Sequence, residues 1–427
     1  MRRLLPFTLF PALLLAGCSL GHVKPATPVG HDSATLRGEV SSNVEGDVTY
    51  WFEYGTSDQL GTATPDRTVS FPEGHDANGP KIPVSETITG LQPNTTYHYR
   101  ICTSPGAEPG SRGCVATQET FTTDETIVDS TVAEFAAGTP GSDTYVGATG
   151  SGADGEVVLK PTVGEEFDGS GLPSGWQTSP WGGGGAVTVS GGTASIDGAL
   201  LRTTASFGAG RSLELVGSFS GDPFQHLGLG VDFNDDPDWT IFSTGGGALT
   251  PSLYARTNNS PQNTEIPGTS ATDPHRYRLV WTTSGVEYFV DGVSVASHTT
   301  PATGELGVAG SDFNVGGGAT TWNWARLSPY ATGGTFTSRV HDSGKAATDW
   351  TTLEAQTATP AATGLTIETR SGDTATPDGS WSAWQALGAG GDIASPNARY
   401  LQYHAALTTT DDKTTPAVER VTVGYRP

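Results

Sequence analysis

The sequence predicts an all-β protein of three consecutive β-sandwich domains, and three observations predict it. Apolar segments are short and alternate with polar residues, as in strands with one buried face. Glycine (58 residues), serine and threonine are abundant while charged residues make up only 16% of the chain, a composition suited to many turns between short strands. No long stretch repeats its apolar residues with a helical period, and 427 residues exceed what one ordinary core holds. The balance of 22 basic against 45 acidic side chains gives a formal charge of −23. A surface of that sign repels nucleic acid, so none is expected as a partner.

The chain opens with Arg2, Arg3, a short apolar run and then Leu15, Ala16, Gly17 and Cys18. A charged start, an apolar core too short to span a bilayer and small residues before the cut describe an export signal. Leu-Ala-Gly-Cys resembles the lipobox of bacterial lipoproteins. That resemblance implies a signal peptide over residues 1–18, acylation (palmitate) of Cys18 and a mature chain anchored to the membrane on the outer face of the cell envelope. Residues 19–33 then read as a tether.

From Ala34 the pattern is of strands: Ala34 to Val40, then Val48 to Tyr54 with Tyr50, Phe52 and Tyr54 on one face, and Thr95 to Cys102 with Tyr97, Tyr99 and Ile101 on another. The stretch Ile88 to Thr95, the following Tyr97 and the ending Thr120, Phe121, Thr122, Thr123 resemble a fibronectin type III domain in its bacterial form, covering residues 34–123. The resemblance implies that Leu91 and Tyr97 pack at a corner between sheets. Cys102 and Cys114 flank a Pro- and Gly-rich loop. In an oxidising compartment they read as a disulfide, with free thiols as the alternative; a bridge closing such a loop contributes about 3 kcal/mol in the chain-entropy model.

Residues 124–156 read as a linker, because Gly138 to Gly155 is dense in Gly, Ser, Asp and Thr. The next unit, residues 157–330, opens on Glu166, Phe167, Asp168, Gly169 and Trp176. It later carries the run Arg276 to Trp281, a turn, and Val286 to Gly292 ending in Asp-Gly. Together these resemble the concanavalin A-like and laminin G-like jelly rolls. Residues 333–427 carry Asp342, Ser343, Gly344 and Trp350, then Trp381, Ser382 and Trp384, then Arg399, Tyr400, Leu401, Gln402 and Tyr403. These resemble an accessory β-sandwich module appended to bacterial surface and secreted enzymes.

Some jelly rolls of this kind are laminarinase-like hydrolases, so the carboxylates were searched for a catalytic pair on one strand face. Glu166 and Asp168 alternate correctly but lead into Gly169 and Ser170, while Glu214 and Glu287 stand alone in their strands. There is no Gly-x-Ser-x-Gly elbow and no histidine pair with zinc-ligand spacing, so no catalytic residue is assigned. His275 and His298, which bracket the late strand pair, read as hydrogen-bonded histidines. Asp232, Asn234 and Asp236, in a cluster with Asp235 and Asp238, offer either a calcium site or a solvated acidic turn. Trp176, Trp181 and Trp239 fall in or beside turns, where an indole face either stacks on a sugar ring or packs inward. The expectation is a non-catalytic surface lipoprotein that binds a carbohydrate or extracellular polymer through its jelly roll. The alternatives are a polysaccharide hydrolase or lyase with an unrecognised site, and a structural spacer or adhesin.

Overall fold

The computed structural model describes residues 19–42, 45–72, 79–105, 112–233, 238–246, 252–258 and 262–427. Cys18, Asn234 and Asp236 lie outside these residues. Among the described residues the chain is all-β, with six sheets and one α-helix of five residues, Val132–Ala136. No described helix is long and apolar enough to cross a membrane. The chain divides into two compact units, the first comprising residues up to Ile127 with Thr348–Thr352 and Val423–Pro427, the second the remainder.

The first unit is a sandwich. One sheet has the order Ser19–Lys24, Ser33–Ser42, Ile82–Thr89, and the other is centred on the paired strands Gly46–Gly55 and Thr96–Pro105. Alternation places Leu36, Phe52, Tyr99 and Ile101 wholly inside. Leu91 and Tyr97 are buried at the edge of this core, and the Tyr97 hydroxyl accepts a hydrogen bond from the Gln92 amide at 3.0 Å. Cys102 and Cys114 stand opposite each other in adjoining strands and are joined by a disulfide. The tether expected over 19–33 is corrected in part: Ser19–Lys24 is a strand antiparallel to Arg37–Ser42. Its inward slots hold Gly21 and Val23, and a Cβ on Gly21 would lie 2.6 Å from Ile101 Cγ2. Where close packing demands glycine, the apolar alternation that announces a strand is lost.

In the second unit the jelly roll occupies Pro161 to Tyr330. Its eight-stranded sheet is centred on Thr320–Tyr330, Arg211–Ser218 and His275–Trp281. Its seven-stranded sheet has the order Trp176–Pro180, Ala199–Thr203, Gly307–Asp312, Gln225–Gly230, Trp239–Ser243, Tyr254–Thr257, Gln262–Glu265. Trp281, Trp322, Tyr277 and Tyr288 fill the space between the sheets with Leu227, Leu229 and Phe242.

The third sandwich takes strands from both sides of the jelly roll. Gly155–Leu159 runs between Thr144–Ala148 and Ala417–Arg426, with Val157 opposite Val418 and Val158 opposite Ala417. In the other sheet Thr139–Pro140 pairs with Gly333–Thr337, which pairs with Tyr400–Thr409 and through it with Thr363–Gly372. The linker expected over 124–156 is therefore corrected to structural strands, and the strand read as opening the jelly roll at 157 belongs to the host sandwich. Its glycines mark contact: a Cβ on Gly155 would lie 2.4 Å from the Val132 amide, and one on Gly147 would lie 2.4 Å from Arg326 Nη2. The jelly roll is an insertion whose ends leave side by side, with Pro161 opposite Tyr330 and the Ala331 amide bonded to the Lys160 carbonyl at 2.9 Å.

Candidate functional site

Alternation along the seven-stranded sheet decides what its outer face displays. Leu227, Leu229, Phe242 and Ala255 point into the core, so His226, Ile241, Arg256 and Ser311 stand on the opposite face. Register lines them up: His226 lies opposite both Ser243 and Ser311, and Ile241 lies opposite Arg256. Gly230 clears the way for an aromatic ring to lie over the sheet, since a Cβ there would meet Phe233 Cε1 at 2.4 Å.

These residues floor an open groove of about 430 Å³ with an aromatic cluster at each end. At one end the rings of Trp181 and Phe224 each lie 6.0 Å from that of Phe313, and Trp181 Nε1 donates to Ser311 Oγ at 2.9 Å. At the other, Phe233 meets His226 edge to face at 5.3 Å, and the Arg256 guanidinium lies 4.9 Å from the Trp239 ring centroid. Phe313 is 49% exposed and Phe224 38%, unusual for side chains of this size.

Two of the three tryptophans singled out in the sequence thus line one groove. Trp181 is partly accessible, whereas Trp239 is largely covered and offers the groove only part of its ring. Trp176 does not belong to the site. It is buried edge-on between Phe167 and Trp322, at 5.3 and 5.6 Å, because the strand it opens turns that position into the core. Of the acidic cluster, Asp232 is described and half-buried, while Asn234 and Asp236 fall outside the described residues.

Burial shapes the electrostatics of the floor. His226 is pushed down to about 3, first by desolvation and then by the nearby Arg256 charge, so it is neutral at physiological pH with Nδ1 2.9 Å from Ser243 Oγ. Desolvation also lowers Arg256, yet guanidinium stays charged at any physiological pH. Beneath it Tyr288 reaches across the core from the opposite sheet, donating to the Arg256 carbonyl at 2.6 Å and lying 2.7 Å from Thr257 Oγ1. His298, lowered by burial, sits between Thr257 and Thr264 at 2.8 and 3.0 Å. This buried chain of hydrogen bonds fixes the strand that carries Arg256. No sequence motif marks Arg256; the only available signal was its place in an alternating strand.

The carboxylates weighed for catalysis sit elsewhere, on the outer face of the eight-stranded sheet. Glu214 accepts from Arg276 Nε at 2.8 Å; burial works to raise it, but Arg276 prevails and holds it below the usual range. Glu166 accepts from the Tyr145 hydroxyl at 3.0 Å and the Ala148 amide at 2.9 Å, and pairs with Arg326 at 3.3 Å. Arg326 and Glu156, both fully buried, form an ion pair that joins the jelly roll to the host sandwich. His275 pairs with Asp291 at 2.6 Å near the same face. Among the described residues lining the aromatic groove there is no carboxylate, and Arg256 is the one charged group.

No protein-family model matches the chain, and no curated protein matches it. Among solved structures it is similar to a glycosyl hydrolase family protein from Mycobacterium fortuitum, at 16% identity and TM-score 0.29, covering 40% of this chain and 100% of that one. It is likewise similar to LamAcat from Zobellia galactanivorans, at 16% identity and TM-score 0.30, covering 40% and 98%. A third is the sensor domain of the anti-sigma factor RsgI4 from Pseudobacteroides cellulosolvens, at 18% identity and TM-score 0.18, covering 25% and 89%. The sheet orders given above, and not these likenesses, define the fold.

Proposed function

We propose that the protein binds a carbohydrate in the aromatic groove of its jelly roll without cleaving it, and that acylated Cys18 holds it to the membrane on the outer face of the cell envelope. One observation carries the binding reading: an open groove with aromatic rings at both ends and hydrogen-bonding groups along its floor. Ring faces stack on the C–H faces of sugars, and a long shallow cleft accommodates a chain. Hydrolysis by the usual route needs two carboxyl groups flanking the bond, and the described lining offers none. The neutral, weakly basic His226 is a poor substitute for a general base. In this reading the first domain is a fibronectin type III-like domain that follows the anchor in the chain.

Affinity electrophoresis through neutral and acidic polysaccharides, with a parallel assay for released reducing ends, tests the binding half. Retardation without turnover, lost in Trp181→Ala while the melting temperature holds, is the expected result. Turnover of any of them would overturn the non-catalytic reading. For the anchor, Cys18→Ser should move the protein from the membrane fraction to the soluble one; a pelleting variant would reject it.

A further inference from the structure

We infer that the groove selects glycans bearing an anionic group on the sugar, a uronate carboxylate or a sulfate ester, and that Arg256 is the residue that reads it. The inference rests on the carbohydrate reading above and narrows its substrate class.

Three features of Arg256 bear on a ligand role. Among the described residues it has no acidic partner: Nε donates to Asn263 Oδ1 at 2.8 Å, and of the terminal nitrogens Nη1 reaches Ser243 Oγ at 3.4 Å. An arginine that is half-buried and lacks a counter-charge is costly unless something supplies one. Next, its fork is held in place. Asn263 fixes the Nε edge, Trp239 covers one face, and the Tyr288 hydrogen bond to its carbonyl fixes the backbone, which leaves the terminal nitrogens free at the groove. A guanidinium with that edge open accepts a carboxylate or sulfate through two parallel N–H···O bonds, shorter and stronger than neutral ones. Finally, nothing described around it competes. The described lining holds no carboxylate, His226 is uncharged, and the Trp239 ring over one face of the guanidinium shields it from solvent on that side.

The contrast with the opposite sheet of the same domain supports a ligand role over a structural one. In a chain with twice as many acidic as basic side chains, arginines readily find carboxylates, as Arg276 and Arg326 do on the opposite sheet. Arg256 is left without one inside an aromatic groove.

The test uses the chain from Ser19 in about 0.15 M salt, where the Debye length of about 8 Å screens repulsion from charges outside the groove. Calorimetry compares polygalacturonate with its methyl ester and a sulfated galactan with its desulfated form, so each backbone is held constant while its charge is removed. At least tenfold tighter binding of one or both charged forms is expected, and which of the two is preferred identifies the anion. Arg256→Gln should abolish the preference by weakening the charged form at least tenfold more than the neutral one, whereas Trp181→Ala should weaken both forms alike. Should Arg256→Gln not fold, Arg256→Lys carries the test, keeping the charge but not the fork, with the preference reduced. Equal binding of charged and neutral forms, lost with Trp181→Ala, overturns this inference and leaves the carbohydrate reading standing. A preference that survives in a folded Arg256→Gln also overturns it. No binding to any of the four overturns both.

Discussion

The two outer faces of the jelly roll use the same residue types to opposite ends. On the eight-stranded sheet Arg276 and Arg326 meet Glu214, Glu156 and Glu166, and the charges neutralise one another where the sheet meets the host sandwich. On the seven-stranded sheet Arg256 lies over Trp239 with no acid beside it among the described residues, and large rings remain accessible. Matched charge makes a surface that holds its own chain together. Unmatched charge among exposed rings makes one that waits for something else. Glu166 and Glu214, which form no catalytic pair in the sequence, are of the matched kind.

Breaking the matched face should cost the most. Arg326→Met leaves the buried Glu156 carboxylate with the more distant Arg276, at 3.6 Å, in place of its close partner, and the expected loss is about 3–5 kcal/mol, read as a lower urea midpoint of the second unit. Arg326→Met combined with Glu156→Gln should recover part of it; a single variant as stable as the parent would show that the pair does not matter.

His226 gives the next effect, and its sign follows from a folded-state value of about 3 against 6.5 in the unfolded chain. The stability it confers is complete above pH 6.5. Below that the unfolded chain takes up a proton that the folded groove refuses, so stability drains by up to about 1.4 kcal/mol per pH unit, or roughly 3 kcal/mol by pH 4.5. His226→Gln should flatten that slope, and urea midpoints measured from pH 7 to 4.5 in both proteins check it.

The smallest stability change is expected on the open face. Phe313→Ala, at a ring already 49% exposed, should shift unfolding by no more than about 0.5 kcal/mol. It should nonetheless weaken glycan binding roughly tenfold, about 1.4 kcal/mol. Loss of stability with unchanged binding would reverse the assignment of the two faces.

Much of this was legible because strands write their faces in alternation. The core roles of Leu91 and Tyr97 came from local pattern and motif. What escaped was long-range. Gly155–Leu159 pairs with a strand some 260 residues onward, and nothing local names that partner. Glycines at positions 21, 147 and 155 imitate a linker while marking the closest contacts. Trp176 could not be separated from Trp181 by composition, since the difference is which side of one strand each falls on. Arg256 was invisible because its distinguishing property is the absence of a neighbour, which only three dimensions reveal.

The side-by-side exit of the jelly roll at Lys160 and Ala331 also has a mechanical meaning. Tension drawn along the chain through the host sandwich is borne first by the strands around Gly155–Leu159 and Gly333–Thr337 and by the hydrogen bonds that clasp the two exits together. The inserted domain is loaded only once that clasp has parted. Tension applied along the host chain on either side of the insertion would thus strain the frame before it reached the groove.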